Sequence, residues 1–330
     1  MTERPSFADR LIKTIEEKET AAVVGLDPRL DWIPASIRSQ SIQLHGRTVR
    51  AAAEAIWLYC LDLIDLVEPY VAAVKAQIAF FEPFGGEGLK VYARVVRYAQ
   101  ERGLIVIGDV KRSDIASTAE AYARAHLGEA DQTPDVGSDG EAVFHPASPL
   151  EVDAVTINPY LGSDGVRPFL DRCRAMGKGV FILCRTSNPS AADFQDQKVK
   201  PEKGKSIPLH EMVARSIVAW GDEFRGGRGY SSVGAVVGLA KDPELLGRIR
   251  AALPDTIILV PGYGAQGGRE EDLIPLFQRD GLGVLVNSSR GVGFAFRDSG
   301  DENWGEAVEN AARDLRDRVN RAREAALKKG

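Results

Sequence analysis

Short apolar runs rich in β-branched residues recur along the chain and alternate with longer stretches of helical periodicity. Eight of these runs predict β-strands, at residues 21–26, 71–75, 104–109, 152–157, 179–184, 233–238, 256–262 and 283–288. Between them the pattern predicts helices that include Arg47–Leu66, Gly88–Arg102, Val166–Met176, Leu209–Phe224, Pro243–Ala252 and a charged amphipathic helix at Trp304–Lys328. The pattern therefore indicates a regular succession of strands and helices.

Strict alternation of strands and helices favours a parallel sheet. Eight strands can close such a sheet into a (β/α)8 barrel, and the N-terminal helix would then cover the bottom of the barrel. A doubly wound open sheet is the alternative, but it would want a glycine-rich turn after the first strand, and GLDPRL at 25–30 is not a GxGxxG sequence. We therefore expect an α/β fold in which residues 1–330 form one (β/α)8 TIM barrel domain.

Two polar stretches interrupt the regular spacing. Residues 128–149 are rich in glycine, proline and acidic residues and precede the fourth predicted strand, and residues 190–208 follow the fifth. Loops of this length are uncommon in compact domains and often act as lids. We interpret both stretches as loop insertions within a single domain and not as linkers between domains.

Most of the predicted strands end in polar residues. In chain order these are Asp27, Lys75, Asp109 with Lys111, Asn158, Arg185 to Ser187, the stretch PGYGAQGG at 261–268 and the stretch NSSRG at 287–291. Because the active sites of (β/α)8 barrels lie at the carboxyl ends of the strands, these groups are expected to meet at one rim. The convergence predicts a functional site there.

Some of these charges are difficult to explain as ordinary surface residues. Lys75 lies between the apolar segments VAAV and AQIAFF, where a lysine needs an anionic partner or a shifted pKa. Asp109 and Lys111 are two residues apart, so their side chains point to the same side of an extended chain. Asp27 and Asp114, each taken alone, are more typical of a turn or a helix N-cap.

The glycine-rich stretch at 261–268 has two readings, a flexible turn or a phosphate cradle. Glycines let backbone N–H groups point at an anion, and Arg290 at the next strand end can add a bidentate contact. In barrels of this kind the phosphate site frequently follows strands 7 and 8. We therefore expect a phosphorylated small molecule as the ligand.

Composition argues against several other partners. The 330 residues carry 47 acidic and 42 basic side chains, for a net charge of −5, and no basic block occurs. Neither nucleic acid nor an anionic membrane is therefore expected as a partner. The first residues lack an apolar signal core, and no apolar run reaches the ~18 residues that a membrane-spanning helix needs.

Cysteine and histidine usage gives no indication of a metal or a cofactor. Cys60, Cys173 and Cys184 cannot all pair and form no CxxC motif, which argues against a disulfide framework or a zinc site and favours a reducing cytoplasm. The four histidines, at 45, 126, 145 and 210, have no metal-like spacing and suit surface or packing roles. The chemistry must then rely on charge and proton transfer, as in decarboxylation, enolisation or Schiff-base aldol reactions.

The motifs at the strand ends resemble one family. DVKRSDIAST at 109–118 resembles the DxKxxDI signature of orotidine 5′-phosphate decarboxylases. GLDPR, VKAQIAFFE, RTSNPSA, PGYGAQGG and NSSRG are similar to other blocks of that family and occur in the same order. The resemblance spans about residues 20 to 295, and the chain length and long loops resemble the larger, second class of bacterial enzymes.

The resemblance implies a role for each matched residue and a reaction without metal or cofactor. Lys75, Asp109, Lys111 and Asp114 would form an alternating charged array, with Lys111 delivering a proton to C6 of the pyrimidine. Asp27 would bind a ribose hydroxyl, Ser187 the pyrimidine amide, and Gln266 and Arg290 the phosphate. Asn158, at a strand end within the matched region, is a further candidate for substrate binding. The family also implies a homodimer, in which Asp114, Ile115 and Thr118 reach into the neighbouring site.

Other functional interpretations of the same residues remain. Keto-gulonate phosphate decarboxylases and hexulose phosphate synthases resemble this chain in DxKxxD, but they carry an acid at the second strand end and use Mg²⁺, which Lys75 would repel. A Schiff-base aldolase would want a lysine isolated among apolar groups. A non-catalytic phosphate-binding barrel would not need four alternating charges.

Overall fold

The structure, a computed structural model, describes residues 5–128, 135–136, 142–143, 148–201, 204–240, 242–264, 268–298, 300 and 303–328. Eight parallel strands close into a barrel in which each strand pairs with its neighbours in the chain, and β1 pairs with β8. The strands are β1 Ala22–Leu26, β2 Ala73–Gln77, β3 Ile105–Arg112, β4 Ala154–Ile157, β5 Gly179–Arg185, β6 Ser231–Val237, β7 Thr256–Val260 and β8 Val284–Ser288. The predicted (β/α)8 barrel is confirmed, and the open-sheet alternative is wrong.

Continuous burial explains the apolar sequence of the strands. Every residue of β1, β4, β6, β7 and β8 is buried, because one face of each strand fills the barrel interior and the other packs against helices. A strand of this kind shows no polar alternation. The polar residues at the strand ends therefore stand out from the sequence.

The helices surround the barrel in the expected order. They are α1 Phe7–Glu17, α2 Ala35–His45, α3 Val49–Val67, α4 Gly85–Glu101, α5 Ala116–Leu127, α6 Ser163–Met176, α7 Leu209–Gly221, α8 Pro243–Ala252, α9 Glu270–Leu273, α10 Arg290–Gly293 and α11 Trp304–Leu327. The predicted helices agree with these bounds to within a few residues. Helices α2, α5, α9 and α10 have no counterpart among the bounds given above, and α2 buries only Ile37 and Ser41.

Helix α1 covers the amino ends of the strands, as predicted. Phe7 makes an edge-to-face contact with Phe181 at 5.9 Å between ring centroids, and Gly179 at the start of β5 leaves room for its ring. Arg10 donates to the carboxylate of Asp153 at 2.7 Å, beside the start of β4. The bottom of the barrel is closed by these contacts, so the opposite rim is the open end.

The two insertions differ in how much of them the structure describes. Most of the 128–149 stretch lies outside the described residues; its described part comprises residues 128, 148 and 149 and a short antiparallel pair, Asp135–Val136 with Ala142–Val143. The 190–208 stretch contains a 3₁₀ turn at Pro189–Asp193 and a two-stranded pairing of Lys198–Val199 with Ile207–Pro208.

Two further sequence expectations concern membranes and thiols. No helix in the described ranges is both long and apolar enough to cross a membrane. The three cysteines are free and buried, and burial raises the pKa of the Cys184 thiol to about 12.

Candidate active site

The end of β3 has an irregular backbone. Its pairing with β4 shifts register between Gly108 and Arg112, and Lys111 has a φ of +43°. A non-glycine residue in this left-handed region is strained and persists only where surrounding contacts hold it. Thr156 on β4 supplies such contacts, because its hydroxyl oxygen accepts the backbone N–H groups of Val110 and Lys111, each at 3.0 Å. The resulting bulge redirects the Lys111 side chain at the rim of the barrel.

The carboxylate of Asp109 is the centre of the site and receives four donors. Its Oδ2 accepts from Lys75 Nζ at 2.7 Å and from Gln77 Nε2 at 3.0 Å. Its Oδ1 accepts from Lys111 Nζ at 2.5 Å and from Thr156 Oγ1 at 2.9 Å. The structure thus connects Lys75, Asp109 and Lys111 through hydrogen bonds. They lie on the same side of the rim, as their spacing predicts.

At this array the neighbouring charges together shift the pKa values of Lys75 and Asp109 more than burial does. The side chains of Lys75 and Asp109 are only 4% and 8% exposed, whereas that of Lys111 is 47% exposed. Burial would raise the pKa of Asp109, but Lys75 and Lys111 hold it well below its ordinary value. Burial likewise would lower the pKa of Lys75, but the charges of Asp109 and Asp27 raise it above its ordinary value. Both groups are therefore ionised at neutral pH.

Two buried acceptor atoms beside the array lack hydrogen-bond partners in the described part of the chain. Asp27 Oδ1 lies 3.8 Å from Lys75 Nζ, which is too far for a hydrogen bond, and Asn287 Oδ1 is also unpaired. Unpaired buried acceptors are costly and uncommon. Both atoms are suited to receive hydroxyl or amide donors from a ligand.

The array opens into a cavity of ≈ 260 Å³. Its wall also includes Arg290, which follows β8, and the aromatic side chains of Trp32, Phe80 and Phe294. The predicted site residues Asp27, Lys75, Asp109 and Arg290 therefore line one cavity. Two acids, one buried lysine and two exposed arginines, Arg29 and Arg290, in a partly aromatic cavity can bind a planar anionic molecule.

A second cavity of ≈ 370 Å³ holds the predicted residue Ser187. Both cavities are lined by Pro261 and Gly262, so they adjoin at the segment after β7. Gly238 packs against Ser187, and a Cβ at that glycine would lie 2.5 Å from the Ser187 backbone nitrogen. The two cavities together offer room for a ligand longer than either alone.

A network fixes the segment that follows Ser187. Arg185 makes a bidentate ion pair with Asp196, with both N–O distances at 3.0 Å, and Gln195 accepts the Thr186 backbone N–H at 2.7 Å. His210 Nδ1 lies 3.2 Å from Asp196 Oδ1. The beginning of this insertion is therefore tied to the end of β5.

The residues predicted to act across a dimer make no described hydrogen bond or ion pair with the array of their own chain. Ile115 is 50% exposed and Thr118 is exposed, while Asp114 Oδ1 accepts its only described hydrogen bond from the Ile115 backbone N–H at 2.9 Å. The carbonyl of Asp114 packs against Gly165 of α6. Asp114 makes no ion pair in the described part of the chain.

Of the two remaining predicted residues, only Asn158 is described, and it lines a different cavity from the array. Asn158 Oδ1 accepts the Tyr160 backbone N–H at 3.0 Å, and Asn158 lines a separate, mostly apolar cavity of ≈ 570 Å³ with Phe194 and Trp220. The structure does not bring it to the array. Gln266 lies outside the described residues.

Several residues of the site were not among the predicted ones. Gln77 and Thr156 hold the Asp109 carboxylate, and Arg29, Trp32 and Phe294 line its cavity. Gln77 lies two positions after Lys75, so the period of a strand places it on the same face and could have identified it. No group of three or more His, Cys, Asp or Glu side chains is placed to hold a metal ion within the described ranges.

Comparison with known proteins gives a consistent relationship. Residues 56–295 match the model of the "Orotidine 5'-phosphate decarboxylase / HUMPS family". The orotidine 5′-phosphate decarboxylase of Caldicellulosiruptor bescii is 38% identical over 317 residues, which cover 96% of this chain and 99% of that protein. The Rhodopirellula baltica protein of the same name is 40% identical over 312 residues, with coverages of 93% and 96%.

A solved structure agrees with these sequences. The OMP decarboxylase of Leishmania donovani is similar at a TM-score of 0.69 and 33% identity, and the match covers 97% of this chain and 100% of that chain. By its fold and its relatives the protein is a carboxy-lyase built on a (β/α)8 barrel. It belongs to the orotidine 5′-phosphate decarboxylase / HUMPS family, so the resemblance identified from the strand-end motifs is confirmed.

Proposed function

We propose that the protein converts orotidine 5′-phosphate to uridine 5′-phosphate and CO₂, the last step of de novo pyrimidine nucleotide biosynthesis, without a metal or a cofactor. The observation that carries the proposal is the hydrogen-bonded Lys75–Asp109–Lys111 array, whose buried members Lys75 and Asp109 line the same cavity as Arg290. Such a site offers fixed charge to the reacting carbon and a cation to a remote phosphate.

The reaction needs a cation at the carbon that loses CO₂. Breaking the bond between C6 and the carboxylate leaves the electron pair on C6, where no adjacent carbonyl delocalises it. A preorganised ammonium group stabilises this charge and can supply the proton that forms the new C6–H bond. Lys111 Nζ is the donor in this proposal, and it regains its proton from water afterwards.

Asp109 would act on the substrate before bond cleavage. Because its pKa is lowered by the two lysines, it remains a carboxylate next to the carboxylate of the substrate. Two such charges about 4 Å apart repel by roughly 4 kcal/mol at an effective dielectric constant near 20. That repulsion disappears as CO₂ leaves, while the attraction between Lys111 and the developing carbanion increases.

The remaining contacts follow the layout of the two cavities. We assign the unpaired Oδ1 of Asp27 to a ribose hydroxyl and Ser187 to the pyrimidine amide. Arg290 is assigned to the phosphate, where a guanidinium group makes bidentate contacts, and the family resemblance alone adds Gln266. Binding energy from the phosphate can be used to position the reacting carbon, so it contributes to kcat as well as to KM.

The position of Lys75 separates this proposal from the Mg²⁺-dependent relatives. Its ammonium group lies 2.7 Å from Asp109 and 3.8 Å from Asp27, so it occupies the place between two carboxylates that a metal cation would take. The curated relatives reported above carry the decarboxylase name, which supports the same choice.

We further propose a homodimer in which Asp114 and Thr118 reach the neighbouring site. Three large apolar side chains are exposed here. Ile115, next to Asp114, is 50% exposed, and Tyr160 and Leu161, which precede α6, are 80% and 46% exposed. Exposed apolar groups gathered on one face are typical of an interface. Asp114 of each chain would then complete the alternating charges of its partner's array.

The proposed location is the cytoplasm, where three buried free thiols persist in reduced form.

The direct test of function follows the loss of orotate-type ultraviolet absorbance when orotidine 5′-phosphate is added in the presence of EDTA. We expect steady turnover with the chelator present. An enzyme silenced by EDTA would contradict the metal-free reaction, and a protein without turnover in either condition would contradict the function itself.

A further inference from the structure

The indole ring of Trp32 gathers three arginine side chains at the edge of the candidate active site. The guanidinium carbons of Arg29, Arg297 and Arg290 lie 4.0, 3.9 and 5.9 Å from its ring centroid. Phe294 packs edge-on against the same ring at 5.3 Å. Trp32 is half-buried, and this one aromatic side chain contacts three exposed cations.

Two of these arginines also line the 260 Å³ cavity, namely Arg29 and Arg290. Within the described ranges, Arg290 has no carboxylate within ion-pair distance, and the partner of Arg29 is the exposed Asp31 at 3.5 Å. By contrast, Lys75 in the same cavity is fully paired with Asp109. The wall near Trp32 therefore carries positive charge that the protein itself compensates only in part.

Guanidinium groups placed side by side repel each other, and two features can stabilise such an arrangement. The negative face of an aromatic ring attracts cations, which explains why the groups gather on Trp32. An anion with more than one oxygen can then bind two forks at once, as phosphate does with arginine pairs. A dianionic phosphate is the ligand that this charge distribution fits.

The chain order places Arg29 appropriately for that role. Asp27, assigned above to a ribose hydroxyl, is two residues before Arg29 in the segment that follows β1. In a ribose 5-phosphate the hydroxyls and the phosphate are only a few bonds apart. One short segment can therefore contact both groups of the same ligand.

We propose that Arg29 is a second phosphate-binding arginine beside Arg290, and that Trp32 is a positioning residue that holds both guanidinium groups at the cavity. This inference rests on the proposed function, because it takes the 5′-phosphate of the nucleotide as the ligand. It gives a role to Arg29, which the GLDPR block contains without a role assigned above, and to Trp32, which lies outside the quoted motifs.

The test compares Arg29→Ala with wild type on orotidine 5′-phosphate and on the nucleoside orotidine, which lacks the phosphate. We expect kcat/KM for the nucleotide to fall at least about tenfold, equivalent to roughly 1.4 kcal/mol, with little change for the nucleoside. Arg94→Ala is the matched control, because Arg94 also stacks on a tryptophan, Trp57, at 4.0 Å, but does so on the outer surface of α4. It is expected to behave as wild type with both substrates.

Trp32 is tested with Trp32→Leu and Trp32→Phe. Loss of the aromatic face in Trp32→Leu should raise KM for the nucleotide more than it lowers kcat, and Trp32→Phe should restore most of the loss. A Trp32→Leu enzyme with unchanged KM would overturn the positioning role. A loss that Trp32→Phe does not restore would overturn it as well.

Calorimetric titration with inorganic phosphate separates this inference from the proposed function, since phosphate binding needs no turnover. We expect Arg29→Ala to bind inorganic phosphate at least about tenfold more weakly than wild type. Equal phosphate affinity, or equal losses on nucleotide and nucleoside, would overturn the role of Arg29. Wild-type protein that binds phosphate but does not decarboxylate the nucleotide would overturn the proposed function and leave the phosphate site supported.

Discussion

Thr156 Oγ1 donates its hydrogen to Asp109 Oδ1 at 2.9 Å, and Thr156 Oγ1 also accepts the backbone N–H groups of Val110 and Lys111. One side chain on β4 thus fixes both the central carboxylate and the bulge that carries Lys111. The geometry of the array depends on a neighbouring strand as well as on the charged residues themselves.

Replacing this hydroxyl should damage catalysis more than substrate binding. Thr156→Val keeps the shape of the side chain but removes one donor and one acceptor, leaving two backbone N–H groups unpaired. Hydrogen bonds to charged groups contribute about 1.5–3 kcal/mol, so we expect kcat to fall roughly tenfold or more with a smaller change in KM. Steady-state kinetics measure the split, and Thr156→Ser should recover much of kcat. A valine enzyme with normal kcat would show that the bulge holds without Thr156.

Removing the proposed proton donor should abolish turnover and largely preserve product binding. Lys111→Ala loses the ammonium group at Asp109 but leaves Lys75, Asp27 and Arg290 in place. We expect turnover below detection together with retained affinity for uridine 5′-phosphate, measured by calorimetry. The control is Lys90→Ala, which removes an exposed lysine paired with Glu87 on α4. Near-wild-type kcat in Lys111→Ala would eliminate Lys111 as the donor.

The proposal that Asp114 acts in the active site of the partner subunit predicts that two inactive variants complement each other. In a mixed dimer of Lys111→Ala and Asp114→Asn subunits, one site carries both substitutions and the other carries neither. After one-to-one mixing and subunit exchange, roughly a quarter of all sites should be active. Mixtures that stay as inactive as either variant, after exchange is verified by native mass spectrometry, would place Asp114 in its own chain's site.

Close packing behind Ser187 predicts a steric effect at Gly238. A methyl group there would lie 2.5 Å from the Ser187 nitrogen and 2.7 Å from its Cβ, so Gly238→Ala must displace Ser187. We expect a raised KM for the nucleotide and a lower melting temperature. Gly247→Ala is the control, since that glycine lies in α8 with open space around it and alanine there should stabilise the helix by about 1 kcal/mol.

A buried histidine outside the site predicts an acid-dependent loss of stability. Burial, followed by the charge of Arg112, lowers the pKa of His126 from 6.5 to about 4. As pH falls from 6.5 to about 4, the unfolded chain binds a proton that the folded protein does not. The free energy of unfolding should therefore decrease across this window, by about 3 kcal/mol in total.

Urea unfolding as a function of pH measures this decrease. His126→Leu should reduce the dependence of the free energy of unfolding on pH between pH 6.5 and 4. His45→Gln tests whether loss of any imidazole has the same effect. An unchanged slope in His126→Leu would show that other groups cause the acid sensitivity.

The sequence alone was sufficient to predict the barrel because its strands are buried on both faces. Runs such as 152–157 and 256–262 have no polar alternation, so a parallel sheet enclosed by helices was the expected outcome. The same contrast identified Lys75, Asp109 and Lys111, since charge stands out at the end of an apolar run. These three residues meet in the structure as the spacing predicted.

The parts that sequence did not predict depend on contacts between distant segments. Thr156 reads as an ordinary β-branched strand residue, and only the register shift between β3 and β4 shows its role. Trp32 acquires its importance from Arg290 and Arg297, more than 250 residues away. For Asn158, substrate binding stays a prediction; in the structure its Oδ1 accepts the Tyr160 backbone N–H, a contact that the strand-end pattern did not indicate.

The left-handed conformation of Lys111 has a consequence for engineering this protein. A glycine adopts that conformation without strain, whereas a lysine is destabilised there by an amount on the order of 1–2 kcal/mol. Selection of variants by thermal stability alone would therefore favour replacing the residue assigned as proton donor. A thermostable library of this enzyme has to be screened for turnover at the same time, or it will be enriched in well-folded proteins that have lost their chemistry.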